Sequence, residues 1–332
     1  MREVLFTPTG DRVGAVGYGA MGLSWVLDRR GLTERAKLDV LRASVDSGMN
    51  FVDTATLYGG GANEELVGAA LHDRYDSVFL CSKAGLRAEQ LDPPKTERCG
   101  DPGYLRRAID DSLRRLRAET VDLYYVHRLD PDVPLEDTWG AMADLVESGK
   151  ARSIGLSEVS VEQLDRAQAI HPVAAVQSEY SLWTREPDGS GKISDGDPAG
   201  DVIGWCRDHG AVFVPFSPVG RGYLSGALGE RVFSGDDFRS RNPRFTDEAR
   251  AANDDAVLPP IRSIARKHGV PMSAVAIAWT MLPGEAGGVS LPIPGTTSLE
   301  HLAENARAAE IEFDQEDLMM LERLPAASGP RY

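Results

Sequence analysis

The sequence predicts a (β/α)8 barrel built as a single domain over residues 1–332, and three observations carry that expectation. Short apolar runs alternate with longer amphipathic ones along most of the chain, the pattern of parallel strands with helices outside. Eight such units can be read in succession, and 332 residues suit one barrel. No linker and no further repeat divides the chain.

The strands are expected at 12–16, 51–53, 77–82, 122–126, 151–155, 174–177, 211–216 and 290–293. Helices are expected at 35–47, 63–72, 102–116, 135–148, 161–169, 198–209, 257–281 with a break near Pro271, and 298–308. The stretches DSLRRL and EDTWGAMADLVESG place apolar residues at helical spacing. Gly48, Gly149, Gly210 and Gly269 follow helical runs, where a left-handed cap is expected. Residues 3–13 read as a small hairpin across the barrel floor. Residues 185–201, rich in Gly, Asp and Pro, read as a surface loop. Residues 217–253 form a long segment between the seventh strand and its helix, of a length that usually carries function.

Composition narrows the function. Hydrophobic residues make up 42 %, enough for a sizeable core. Asp and Glu number 51 against 36 Lys and Arg, a formal net charge of −15. Nucleic acid and anionic membranes both need a basic face, so neither is expected as a partner. Cys81, Cys99 and Cys206 form no CxxC pair and give neither a disulfide framework nor zinc spacing. No signal peptide or membrane-length apolar run is visible, and a cytoplasmic protein without a metal is expected.

Residues 17–22, GYGAMG, match the dinucleotide fingerprint G-x-G-x-x-G. A Rossmann unit would continue into a second strand ending in an acid about 20 residues on. Here the chain runs on in helix-like sequence, and the next strand ends at Asp53. The expected role is a glycine-rich first loop that lets a ligand approach the backbone.

Four residues at successive strand ends suit proton transfer at a carbonyl. Asp53 closes FVD, Tyr58 lies five residues later, Lys83 closes VFLCSK and His127 closes DLYYVH. In a barrel such positions converge on one mouth. Alternation puts Phe51 with Asp53, Cys81 with Lys83, and Tyr125 with His127 on the inward side. A tyrosine with a pKa near 10 is a weak acid. A neighbouring ammonium, Lys83, is expected to lower that pKa, and Asp53 to hold the lysine charged. His127 is expected to orient the substrate oxygen. Taken singly, a strand-end Asp often caps a helix and a lone Lys is usually solvated. Four chemically compatible residues on consecutive strand ends are harder to explain that way.

At this point a resemblance enters. Segments 51–59 (FVDTATLYG), 79–83 (FLCSK), 124–133 (YYVHRLDPDV), 149–157 (GKARSIGLS), 177–184 (QSEYSLWT), 215–224 (PFSPVGRGYL) and 292–305 (PIPGTTSLEHLAEN) resemble the aldo-keto reductases. The likeness runs through nearly the whole chain in order, and is nearest to the branch with pyridoxal and perakine reductases. It implies a barrel that binds NADPH in extended form and reduces aldehydes and ketones without metal. The matching catalytic positions are Asp53, Tyr58, Lys83 and His127.

The resemblance also implies a cofactor path. The first loop contributes Gly19, Ala20 and Met21. Ser157 and Gln177 match positions that hold the carboxamide, and Phe216 an aromatic that stacks on nicotinamide; plain core packing would also explain Phe216. Ser217, Pro218, Val219, Gly220, Arg221 and Gly222 match the stretch around the pyrophosphate. Gly295, Thr296, Thr297, His301, Glu304 and Asn305 match the adenosine end, where a helix N-terminus favours an anion. The chain departs from the pattern at Thr297, His301 and Ala227, where relatives often carry cations. Hydroxyls, helix N–H groups and Arg241 or Arg244 are the candidates to compensate. NADPH is expected, with NADH tolerated. Glu158 stands where Asn or Arg is common, and its role is open.

Trp25, Arg128, Trp183 and Tyr223, with Tyr58 and His127, are candidate substrate contacts. Aromatic walls with a few polar groups suit small carbonyl compounds; the tryptophans would equally cover core edges. Arg128 should point to the other side of its strand, into a structural salt bridge. Two rival functions remain open: a cofactor-sensing subunit resembling potassium-channel β subunits, and a Schiff-base aldolase using Lys83. The substrate, reaction direction and oligomeric state are not legible.

Overall fold

In the computed structural model, residues 1–25, 31–91, 94–189, 191–192, 195–229, 233, 237–285 and 287–331 are described. A hairpin of β1 (Glu3–Phe6) and β2 (Asp11–Gly14) opens the chain. There follow β3 (Tyr18–Gly19), α1 (Glu34–Asp46), β4 (Phe51–Asp53), α2 (Ala62–Leu71) and β5 (Phe79–Ala84). A second hairpin, β6 (Leu86–Leu91) with β7 (Pro94–Arg98), precedes α3 (Pro102–Leu116). The alternation resumes with β8 (Leu123–Val126), α4 (Leu135–Glu147), β9 (Ile154–Ser157), α5 (Val161–Gln168), β10 (Ala175–Glu179), α6 (Val202–His209) and β11 (Val212–Phe216). Helices α7 (Asp247–Ala256), α8 (Leu258–His268) and α9 (Met272–Glu285) lead to β12 (Val289–Ser290), α10 (Leu299–Ala306) and α11 (Gln315–Glu322).

Eight strands form one parallel sheet in the order β3, β4, β5, β8, β9, β10, β11, β12. The curl is closed across its ends, where Gly17 N donates to Pro292 O at 2.9 Å and Gly19 N to Pro294 O at 3.3 Å. This is the expected (β/α)8 barrel. Its interior holds Phe51, Phe79, Cys81, Leu123, Tyr125, Val212, Val214 and Leu291, as strand alternation requires. Phe6 and Val13 of the first hairpin plug the floor, with the Phe6 ring 4.5 Å from Phe79.

Several boundaries differ from expectation, for physical reasons. Residues 12–16 do not form the first barrel strand: β2 pairs with β1, and the barrel strand is β3. The glycines of GYGAMG also serve another purpose. A Cβ on Gly17 would lie 2.8 Å from Phe51 O, and one on Gly19 2.8 Å from Ile293 O. They let backbone approach backbone at the seam. The expected run 290–293 is labelled strand only to Ser290, because Pro292 and Pro294 lack an N–H. Pairing nevertheless continues, with Leu291 N bonded to Phe213 O and Ile293 N to Pro215 O, both at 2.9 Å. Strand 77–82 is shifted to β5, so Lys83 lies inside it. The segment 217–253 contains α7 as well as 3-10 turns; its residues 230–232 and 234–236, like 190 and 193–194 of the loop 185–201, lie outside the described residues. Hairpin β6–β7 and helix α11 were not anticipated.

The four glycines expected as caps all have positive φ, and Gly210 and Gly269 close α6 and α8 as left-handed caps. All three cysteines are free. Among the described residues no helix is long and apolar enough to cross a membrane.

Candidate active site

The C-terminal ends of β4, β5 and β8 bring Asp53, Lys83 and His127 to one mouth of the barrel. Tyr58 follows β4 on a 3-10 turn, Tyr58–Gly61, whose Gly59 and Gly60 have φ of 61° and 66°. A Cβ at Gly59 would approach Ser24 O at 3.0 Å, so the turn folds tightly against the first loop. Behind it, Thr54 Oγ1 donates to Asn63 Oδ1 at 2.6 Å, and Asn63 Nδ2 donates to Ala20 O at 2.9 Å and Ser24 Oγ at 2.6 Å. Asn63 was not singled out by sequence; an Asn on an apolar helix face is the signal that could have found it.

Lys83 is fully buried. Its ammonium bonds to Asp53 Oδ1, donates to Thr54 O at 2.8 Å, and reaches Tyr58 Oη at 3.5 Å. Gln177 Nε2 donates to the other Asp53 oxygen at 2.9 Å. Burial opposes the lysine's charge, but Asp53 and Tyr58 outweigh it and hold its pKa above the ordinary value. Burial raises Asp53, and Lys83 and Gln177 offset part of that. Tyr58 corrects the sequence reading. Burial raises its pKa above 10, and Lys83 only reduces the rise. Lys83 favours the phenolate, but the cost of burying that charge is larger.

His127 stands edge-on to Tyr58, with ring centroids 5.7 Å apart at 84°. Burial, Lys83 and Arg128 all press its pKa well below the usual imidazole value, so the ring is neutral. Among the described residues its buried Nδ1 has no hydrogen-bond partner. Trp25 packs 5.8 Å from Tyr58, with Met21, Leu86 and Ala88 against the same cluster, and among the described residues its buried indole nitrogen has no hydrogen-bond partner. Hairpin β6–β7 thus supplies one wall. Arg128 does not enter a salt bridge among the described residues: its Nη1 donates to His127 O at 2.6 Å and to Ser157 Oγ at 3.0 Å.

Trp183 and Tyr223 pack against each other. They stack at 4.0 Å, both almost fully buried, with Phe245 against them. Tyr223 Oη donates to Asp254 at 2.7 Å. A Cβ on Gly220 would lie 2.8 Å from the Trp183 ring. The Trp183 ring thus packs against the loop 217–222.

The expected cofactor positions form a continuous arc. Gly19 and Ala20 lie at the seam, Ala20 N bonding to Asp53 O at 2.9 Å. Ser157 and Gln177 are buried at the ends of β9 and within β10, and half-buried Phe216 ends β11. Among the described residues four non-glycines have left-handed φ, and three of them, Glu158, Ser217 and Arg221, lie on this arc. Strain of that kind gathers at ligand sites. Pro218, Val219, Gly220 and Gly222 complete the loop. Gly295, Thr296 and Thr297 lead into α10, capped by Ser298. Thr296 O accepts from Tyr18 Oη at 2.6 Å, and Asn305 is buried while His301 is exposed and Glu304 half-buried.

Of the two arginines expected to compensate for missing cations, Arg244 is engaged internally. It is buried, donates to Thr184 Oγ1 at 2.7 Å and to Gly329 O at 3.3 Å, and lies 3.9 Å from Glu186. Arg241 is exposed at the end of a 3-10 turn. Glu158, whose role was open, accepts from Glu179 N at 2.8 Å and pairs with Arg331. Among the described residues no group of three His, Cys, Asp or Glu gathers as a metal site.

Known proteins share this architecture. The chain is 36 % identical over 328 residues to a probable aldo-keto reductase of Glycine max, covering 97 % of this chain and 89 % of that one. A glycerol dehydrogenase from Gluconobacter oxydans superposes with a TM-score of 0.82 at 26 % identity, over 94 % of this chain and 91 % of its own. An aldo/keto reductase from Klebsiella pneumoniae, solved with NADP and acetate, superposes at 0.72 and 25 % identity, over 100 % and 99 %. A family model described as the aldo/keto reductase family matches residues 15–325, and the chain belongs to that family.

Proposed function

We propose that the chain is an NADPH-dependent reductase of aldehydes and ketones in which Tyr58 donates the proton. The observation that carries this reading is the buried Lys83 bonded to Asp53 and reaching Tyr58, with neutral His127 beside the phenol. The fit to a dinucleotide rests on the left-handed backbone at Glu158, Ser217 and Arg221 along one arc.

When bound, the cofactor supplies hydride to the carbonyl carbon. The chain does the rest. Its raised pKa keeps Tyr58 protonated at neutral pH. As negative charge grows on the substrate oxygen, the phenol gives up its proton, and Lys83 stabilises the phenolate left behind. Asp53, held by Gln177, keeps the ammonium in place. His127, neutral, hydrogen-bonds the substrate oxygen and aims it at Tyr58. The same groups can run the reverse oxidation.

Ser157, Gln177 and Phe216 would hold the nicotinamide, the loop Ser217–Gly222 the pyrophosphate, and Gly295, Thr296, Thr297, His301, Glu304 and Asn305 the adenosine. Trp25 and Arg128 would flank a small substrate. Residues 1–332 act as one barrel domain, and the sparse unpaired cysteines fit a reducing, cytoplasmic setting.

The test is NADPH absorbance against a panel of aldehydes, ketones and sugars, with wild type and Tyr58→Phe. The variant should lose on the order of 100- to 10,000-fold in kcat while still binding cofactor. Near-normal turnover by Tyr58→Phe removes Tyr58 as the donor. A wild type that binds NADPH and turns over no carbonyl favours the cofactor-sensing role.

A further inference from the structure

Two buried carboxylates stand side by side on the arc expected to receive the cofactor. Glu158 follows β9 and Glu179 ends β10, with side chains 1 % and 4 % exposed. Two buried negative charges are costly unless cations answer them. One answer comes from far along the chain. The Arg331 side chain, 9 % exposed, lies between the pair: Nη2 is 2.6 Å from Glu158 Oε2, and Nε donates to Glu179 Oε2 at 2.9 Å. The same Glu179 oxygen accepts from Arg221 Nη2 at 3.3 Å. Arg331 is itself held, since Asn242 Nδ2 donates to its carbonyl at 3.0 Å and Asn253 bonds Ser328 in both directions.

We propose that Arg331 is a positioning residue for the dinucleotide. It bridges the Glu158–Glu179 pair and cancels one of the two charges, and so keeps Arg221 and the loop Ser217–Gly222 in a shape and charge state that admit a pyrophosphate. Without it, a stranded carboxylate would face an anionic ligand and draw Arg221 wholly to itself. The inference rests on reading that loop as the pyrophosphate site.

The experiment titrates NADPH into the full chain and follows quenching of tryptophan fluorescence, with melting curves alongside. Arg331→Met should raise Kd about tenfold or more, the scale of one lost charge-assisted interaction. Arg331→Lys should stay within about threefold of wild type, because the charge remains. The pair Glu158→Gln with Arg331→Met removes the stranded charge together with its cation, and should recover most of the lost affinity. A tail that served only as packing would leave this double variant no better than Arg331→Met. That result, or a Kd for Arg331→Met within about twofold of wild type, overturns the proposal. Should Arg331→Met fail to fold, the double variant and Arg331→Lys carry the same comparison. Gly220→Val separates the two readings, since its side chain would strike Trp183 and distort the loop. Unchanged binding there overturns the loop assignment itself; lost binding there with normal binding in Arg331→Met overturns the role of the tail alone.

Discussion

At the scale of single residues, His127 offers a test that needs no substrate. Burial and two neighbouring cations hold its folded pKa well below the ordinary imidazole value. The unfolded chain therefore binds a proton near pH 6.5 that the folded chain refuses. More protons on the unfolded side means stability rises with pH, so this contribution is present above about pH 6.5 and is lost as pH falls toward the folded pKa. His127→Gln should lose less stability than wild type between pH 7.5 and 5.5, by about 1 kcal/mol, read from denaturant midpoints at the two pH values. Equal losses would mean that the imidazole is already protonated in the fold. Asp53, Tyr58, Lys83 and His127 were legible because strand ends and two-residue alternation fix where a side chain points. The link from Arg331 to Glu179, 152 residues apart, was not, because tail docking depends on contacts that no local pattern records. Sequence alone does not separate a cleft wall from a core for Trp183 and Tyr223, since an aromatic suits both equally.

At the scale of elements, the proposed adenosine end before α10 carries a prediction about NADPH against NADH. Half-buried Thr297 precedes the helix N-cap, Ser298, while Arg244 is engaged with Thr184 and Gly329. NADPH should be preferred by a modest margin. Thr297→Arg should tighten NADPH roughly ten- to a hundredfold and leave NADH nearly unchanged, with both Kd values read by fluorescence. Equal tightening of both would move residue 297 away from the 2′-phosphate. Most helices were readable from apolar spacing and their terminal glycines. Hairpin β6–β7 escaped because its residues are largely exposed, so burial imprints little pattern on LRAEQL and PKTER. Helix α7 escaped because a polar run, DEARAANDDA, buries only Ala249 and Asn253.

At the scale of the whole molecule, the barrel depends on its seam. Gly17 has Phe51 O and Ile293 Cγ2 within 2.8 and 3.0 Å of where a Cβ would stand. Gly17→Val should cost about 1–3 kcal/mol, since backbone there cannot yield without parting strands. Gly140→Ala is the contrast, in α4 with nothing within 4 Å, and should gain about 0.5–1 kcal/mol. Calorimetry on both decides; equal behaviour would mean the seam is not tightly packed. That seam joins the first barrel strand to the segment after Ser290, through Gly17 with Pro292 and Tyr18 with Thr296. A ribosome releases the first partner long before it makes the last. Until then β3 and β11 are open edges, able to pair with other chains. Closure must wait for a contact spanning nearly the whole polypeptide, which slows folding and lengthens the interval in which a nascent chain needs protection from its neighbours.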